Sequence, residues 1–269
     1  MNDTQKVIKY LAIAFGIFLT VSIVYSICYA AYTVFSTFTD QVDKKKIKLE
    51  DKHSGLDSYL DIDLQSTNLE IVLGDKLEVD NSSDYIGVYE SGNKIVIKEK
   101  KHVSLKKSKN TIKVTVPKDL VFKAVYFDGG AGSVNISDIK TSYLELDLGA
   151  GKILMNNVKV LDDTSIDGGA GNIEFNNCEF NNSEIDLGAG KLVFNGTLLG
   201  KNKIDSGVGS VNINLLGKLD DYKIKVDKGI GNTSLNGTAM KENESYGSGI
   251  NEIDINGGIG EIKIELSEQ

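Results

Sequence analysis

Residues 125–136 read VYFDGGAGSVNI, and the same frame returns as LELDLGAGKILM at 144–155, TSIDGGAGNIEF at 164–175 and SEIDLGAGKLVF at 183–194. Three looser copies follow: NKIDSGVGSVNI at 202–213, IKVDKGIGNTSL at 224–235 and IDINGGIGEIKI at 253–264. The shared element is Asp-x-Gly-small/apolar-Gly. Its aspartates are Asp128, Asp147, Asp167, Asp186, Asp205 and Asp227, with Asn256 in the seventh copy. Its glycine pairs are Gly130 and Gly132, Gly149 and Gly151, Gly169 and Gly171, Gly188 and Gly190, Gly207 and Gly209, Gly229 and Gly231, and Gly258 and Gly260. A copy without glycines, DLQSTNLEI, starts at Asp63. Successive copies from Asp128 are 19, 20, 19 and 19 residues apart, then 22 and 29, as if loops enter the last ones. A fixed period of this length is the signature of a repeat architecture.

Each copy alternates apolar and polar residues on both sides of the glycines. Val125 and Phe127 precede one motif and Val134 and Ile136 follow it; Leu144, Leu146, Ile153 and Met155 do the same in the next. Spacing by two places such side chains on one face of a strand. The motif therefore predicts two inward-facing strands per coil, joined by a corner at Gly-x-Gly. Strands that recur in the same sense pair in parallel from coil to coil. Because parallel crossovers are right-handed, the expected fold is all-β: a right-handed parallel β-helix, or solenoid, of about 19–22-residue coils. The middle residue of each corner (Ala131, Ala150, Ala170, Ala189, Val208, Ile230, Ile259) is expected to point inward and stack. Ile139, Val158, Cys178 and Leu216 are expected to fill the opposite corner. Asn156, Asn157, Asn176, Asn177, Asn181 and Asn182 suit outer turns, where amides bond to neighbouring coils.

Residues 10–38 carry no charge and exceed the roughly 20 residues that span a bilayer. They are too long for a signal-peptide core. The expected organisation is a tail at 1–9, one N-terminal transmembrane α-helix at 10–38 contacting membrane lipid, a lysine-rich linker at 39–53 and the solenoid at 54–269. Counted alone, Lys6 and Lys9 before the helix against Lys44, Lys45, Lys46, Lys48 and Lys52 after it favour a cytoplasmic C-terminal side; against this, an N-terminal anchor with a short basic start commonly exports the domain attached to it, and long domains translocate largely regardless of charge. The solenoid is then extracytoplasmic.

Three passages carry a resemblance: IDLQSTNLEIVLGD (62–75), GNKIVIKEK (92–100) and IKVTVPKDLVFKAVYFDGGAGSVNI (112–136), continued by the serial Gly-Ala-Gly pattern. With these, residues 60–266 resemble the bacterial "putative-adhesin" β-strand repeat family, domain of unknown function 4097. The resemblance implies a solenoid displayed at a bacterial envelope, and it brings no catalytic residues with it.

Composition narrows the chemistry. Net charge is −8, and nothing in the chain looks like the basic face a nucleic-acid binder needs. The basic residues are all lysine, so no arginine fork is available for bidentate recognition of carboxylate or phosphate. The aspartate series is a candidate Ca²⁺ ladder, since calcium takes several oxygen ligands. However, Val134 and Ile173 stand where the calcium-binding nonapeptide roll has its ligand aspartate. The alternative is that each aspartate caps its own turn through the glycine amides. The two histidines, His53 and His102, fall outside the repeats, and no Cys/His cluster offers a zinc site. No catalytic residue and no cofactor is expected. The functional expectation is a non-enzymatic envelope protein whose solenoid binds or scaffolds a protein or wall polymer. The alternatives are an envelope-stress regulator acting through a membrane partner and, behind it, a polysaccharide-active β-helix enzyme.

Overall fold

The computed structural model describes residues 46–48, 57–80, 85–100, 111–241 and 244–268. The predicted tail at 1–9, the helix at 10–38 and both histidines lie outside them. Among the described residues no helix is long and apolar enough to cross a membrane. Nearly everything described is strand. The chain begins with β1 (Lys46–Lys48), β2 (Tyr59–Leu64), β3 (Asn68–Gly74), β4 (Glu78–Asp80), β5 (Ile86–Ser91), β6 (Lys94–Glu99) and β7 (Thr111–Pro117). The repeats follow as β8 (Val121–Ser137), β9 (Lys140–Asn156), β10 (Lys159–Asp167), β11 (Ala170–Asn181), β12 (Ser183–Leu199) and β13 (Lys201–Leu216). The C-terminal part holds β14 (Tyr222–Ile230), β15 (Thr233–Leu235), β16 (Thr238–Ala239), β17 (Ser245–Tyr246) and β18 (Asn251–Ser267).

Coils pair in parallel and in register, with shifts between Val160 and Asp163 and between Asn176 and Cys178. Asp128 lies beside Asp147, Ala131 beside Ala150 and Ile136 beside Met155, and the same alignment continues through β11, β12 and β13. The glycine-free copy joins as expected, with Asp63 beside Asp128 and Ile71 beside Ile136. Alternation sends Leu60, Ile62, Val125, Phe127, Leu144, Leu146, Ile153, Met155, Leu192 and Phe194 into one continuous core. At its centre Phe175, Phe180 and Phe194 meet edge to face, with ring centroids 5.1–5.9 Å apart.

The order of coils departs from the order of sequence at both ends. The first coil, β2–β3, sits between β6–β7 and β8, because β2 pairs with both β6 and β8, and β3 with both β7 and β8. The last coil, β18, sits between β13 and β14–β15. The extra residues expected from the spacings of 22 and 29 form a short 3-10 turn at Leu219–Asp221 and the segment that carries β16 and β17, while the chain also skips one level and returns to fill it with β18. Antiparallel strands pair with the outer coils: β5 on β6 and β4 on β7 at one end, β17 on β14 and β16 on β15 at the other. Pairing these strands protects edges that would otherwise recruit other chains. β1 extends this cap by pairing antiparallel to β4. Part of the expected linker at 39–53 is thus a strand of the sheet.

Two other expectations are corrected. The middle corner residues point outward: Ala131, Ala150, Ala170 and Ala189 are exposed, as are Val208, Ile230 and Ile259, at 52%, 73% and 53%. The inward corner position belongs to the residue after the aspartate, filled by buried Leu148, Leu187 and Ser206. In the opposite corner Ile139, Val158 and Cys178 are buried as expected, but Leu215, not Leu216, continues that line. Leu215 follows Cys178 and Gly196 in register. Burial pushes the Cys178 thiol up to about 11, as expected of an inert structural cysteine.

Glu99 explains why the first coil needs no glycines. Its Oε2 accepts the amides of Gln65, Ser66 and Thr67 at 2.7, 3.0 and 3.2 Å. In the later coils the corresponding backbone faces the carbonyls of the coil before it. Here β6 ends at Glu99 and β7 begins at Thr111, and the carboxylate takes the place of those carbonyls. Glu99→Ala is expected to leave the buried Thr67 amide unsatisfied, at about 1–3 kcal/mol, while the amides of the exposed Gln65 and Ser66 can turn to water. Urea melting of the full chain measures the loss, and an unchanged midpoint contradicts it.

Candidate functional site

The corner is built by close approach of backbones. A Cβ on Gly151, Gly171, Gly190, Gly209, Gly260 or Gly231 would stand 1.9, 1.9, 1.7, 1.7, 1.5 or 1.6 Å from the carbonyl oxygen of the preceding coil. Cβ atoms on Gly130, Gly149, Gly169, Gly188, Gly207, Gly258 and Gly229 would meet carbonyl oxygens at 2.0–2.8 Å. The second glycine of each pair also turns to positive φ in most coils, for example +141° at Gly190 and +144° at Gly209. Both glycine lines are therefore demanded by coil stacking.

Beside this corner runs the acidic ladder. Asp63, Asp128, Asp147, Asp167, Asp186 and Asp205 lie side by side, followed by Asn256 and Asp227. Both ends of the uninterrupted run are compensated. Lys98 pairs with Asp63 at 2.9 Å, Lys203 with Asp205 at 2.6 Å, and the Asn256 amide donates to Asp205 Oδ1 at 2.6 Å. Burial opposes ionisation of Asp205, but the bonds from Lys203 and Asn256 outweigh it and hold the carboxyl low. Burial raises Asp147, and its neighbours Asp167 and Asp128 raise it further. Burial and then Asp205 raise Asp186.

The turn-capping role holds at one coil, where Gly169 N–H donates to Asp167 Oδ1 at 3.0 Å. Elsewhere the corner amides serve the stack: Ala131 N–H donates to Gln65 O and Ala189 N–H to Gly169 O, both at 2.9 Å. The candidate calcium ligands stand one per coil along a line. Among the described residues, no three His, Cys, Asp or Glu side chains are grouped to hold a metal ion.

The ladder has a pH consequence. A carboxyl raised in the folded state binds its proton more readily there than in the unfolded chain, so its stabilising contribution grows as pH falls through the window between the two values. Asp147→Asn is expected to raise the melting temperature of the full chain at pH 7. That advantage should shrink as pH falls through the raised titration range of the carboxyl, where the native aspartate itself takes up a proton. A lower melting temperature at pH 7, or a difference independent of pH, contradicts this.

Outer asparagines form a second ladder. Asn176 donates to Asn156 Oδ1 at 3.2 Å, Asn195 to Asn176 Oδ1 at 2.9 Å, and Asn214 to Asn195. At the adjacent turn Asn157 donates to Asp138 and Asn177 to Asn157, both at 2.8 Å. Asp138, Asn157 and Asn177 all have φ near +55°, a conformation these residue types tolerate.

Sequence reasoning passed over three tyrosines on an outer face. Tyr59, Tyr126 and Tyr143 are half-buried on β2, β8 and β9. The alternation V-Y-F at 125–127 carried the signal for Tyr126, since a residue between two inward apolar ones must face out.

The model of the family described as Toastrack DUF4097 matches residues 57–265. No curated protein matches the chain. Three crystal structures are similar at low identity. A "putative cell adhesion protein" from Clostridium sporogenes is 18% identical, covering 83% of this chain and 98% of its own, with a TM-score of 0.39. A "putative adhesin" from Bacteroides fragilis is 17% identical over 84% and 99%, with a TM-score of 0.35. Another from Parabacteroides distasonis is 13% identical over 83% and 100%, with a TM-score of 0.38.

Proposed function

The chain belongs to the Toastrack DUF4097 family, and from that premise we propose that it is a non-enzymatic display protein. In this reading residues 10–38 anchor it in the cell membrane of a bacterium. The solenoid faces outward and binds an envelope polymer or a protein along its lateral faces.

One observation carries the reading. Inward positions go to an apolar core, while the outward positions repeat their chemistry from coil to coil, as aspartate and asparagine ladders at strand spacing. A surface that repeats every ~4.8 Å suits an extended ligand better than a small substrate, which needs a few groups converging in a pocket. The paired edges at both ends leave the lateral faces as the binding surface.

Protease shaving of intact cells tests the topology. Loss of the solenoid is expected, and its full protection would overturn the reading.

A further inference from the structure

We propose that Tyr126, with Tyr59 and Tyr143, forms a saccharide-binding platform that takes one or two pyranose units of a glycan strand. The inference deepens the display reading and rests on it. Tyr59, Ser91, Gly92, Asn93, Lys94 and Tyr126 line a shallow, largely open depression of about 620 Å³, a surface platform rather than an enclosed pocket. Its wall is the β5–β6 turn and its floor is the outer face of β2 and β8. Tyr143 extends the floor from β9, its ring centroid 5.7 Å from that of Tyr126.

A pyranose has an apolar C–H face and a rim of hydroxyls. The tyrosine rings supply an amphipathic surface for the first. Polar side chains around them supply partners for the second. Lys94 pairs with Asp61 beside the rings, and its ammonium lies 5.9 Å from the Tyr126 centroid. Tyr143 Oη donates to Glu145 Oε2 at 2.9 Å, which orients the ring and leaves Glu145 Oε1 open to a sugar hydroxyl. Ser91 and Asn93 add a hydroxyl and an amide at the wall.

One observation favours a saccharide over an extended peptide. An extended peptide binds a sheet by adding to a free strand edge. Here β2 is paired on both sides by β6 and β8, β8 by β2 and β9, and β9 by β8 and β10.

The chain has no tryptophan, so the summed emission of its 11 tyrosines is followed on binding, and the difference between the native chain and Tyr126→Ala isolates the signal of the site. The full chain, in a detergent without a sugar headgroup, is titrated with chitotetraose and cellotetraose to about 10 mM, a range that covers millimolar affinities. Saturable binding of at least one is expected, weakened about tenfold in Tyr126→Ala and kept in Tyr126→Phe, with melting temperatures unchanged. Absence of binding to both, equal binding by Tyr126→Ala, or loss of binding only together with the fold overturns the proposal. So does binding only to a peptide probe. The display reading fails separately, by protection of the solenoid in intact cells.

Discussion

Gly190→Ala is expected to cost more than about 4 kcal/mol, the range reserved for severe and specific damage. The added methyl would stand 1.7 Å from the Gly171 carbonyl oxygen, on a backbone with φ of +141°. Relief cannot come from a side chain, because the atom in the way is main chain of the preceding coil. Either the parallel ladder between β11 and β12 opens at the corner or the coil shifts, and both disturb Leu192 and Phe194, which are fully buried. Ala189→Val, one residue away, is expected to change stability by less than about 0.5 kcal/mol. Position 189 is exposed, and the next coil carries Val208 there in register. Thermal and urea melting of the full chain with each substitution measures the contrast. Comparable losses at 189 and 190 would mean that the corner faces inward after all.

Ending the chain after Ile250 is expected to abolish folding of the C-terminal third. β18 fills the gap between β13 and β14, so its removal unpairs two strands at once. It also removes buried Ile253, Ile255, Ile262 and Ile264. At about 1.5–3 kcal/mol for each buried side chain, the four together approach the whole stability of an ordinary domain, about 5–15 kcal/mol. In a stack built in sequence order the same truncation would only peel one coil from the end. Limited proteolysis with mass spectrometry separates the cases. Cleavage is expected within β13 and β14, and a truncated chain resistant up to residue 235 contradicts the interleaved order.

The acidic ladder was legible because strict spacing puts each aspartate at the same phase of its coil. Its electrostatics were not. Asp147 and Asp205 occupy equivalent sequence positions, yet one carboxyl is raised and the other lowered. The difference comes from Lys203 and Asn256, and Asn256 lies 51 residues away along the chain. The tyrosine platform was hidden for a similar reason. Tyr59 and Tyr126 are 67 positions apart and become neighbours only because β2 packs on β8.

By itself, then, the sequence determined the period, the parallel pairing, the inward strand faces and the two glycine lines. Each of these is local chemistry repeated: alternation sets the faces, and a carbonyl facing every corner excludes any side chain larger than hydrogen. The tertiary structure alone decided which coil lies next to which at the two ends, and which corner residue is buried. All coils share one register, so the pattern of β18 matches β13 and β14 alike and cannot tell the chain where to insert. The corner backbone places its inward side chain one residue after the aspartate, at Leu148 and Leu187, and so turns the Ala-to-Ile series out to solvent. That phase shift comes from the bend between the two strands, where alternation by two no longer counts the faces.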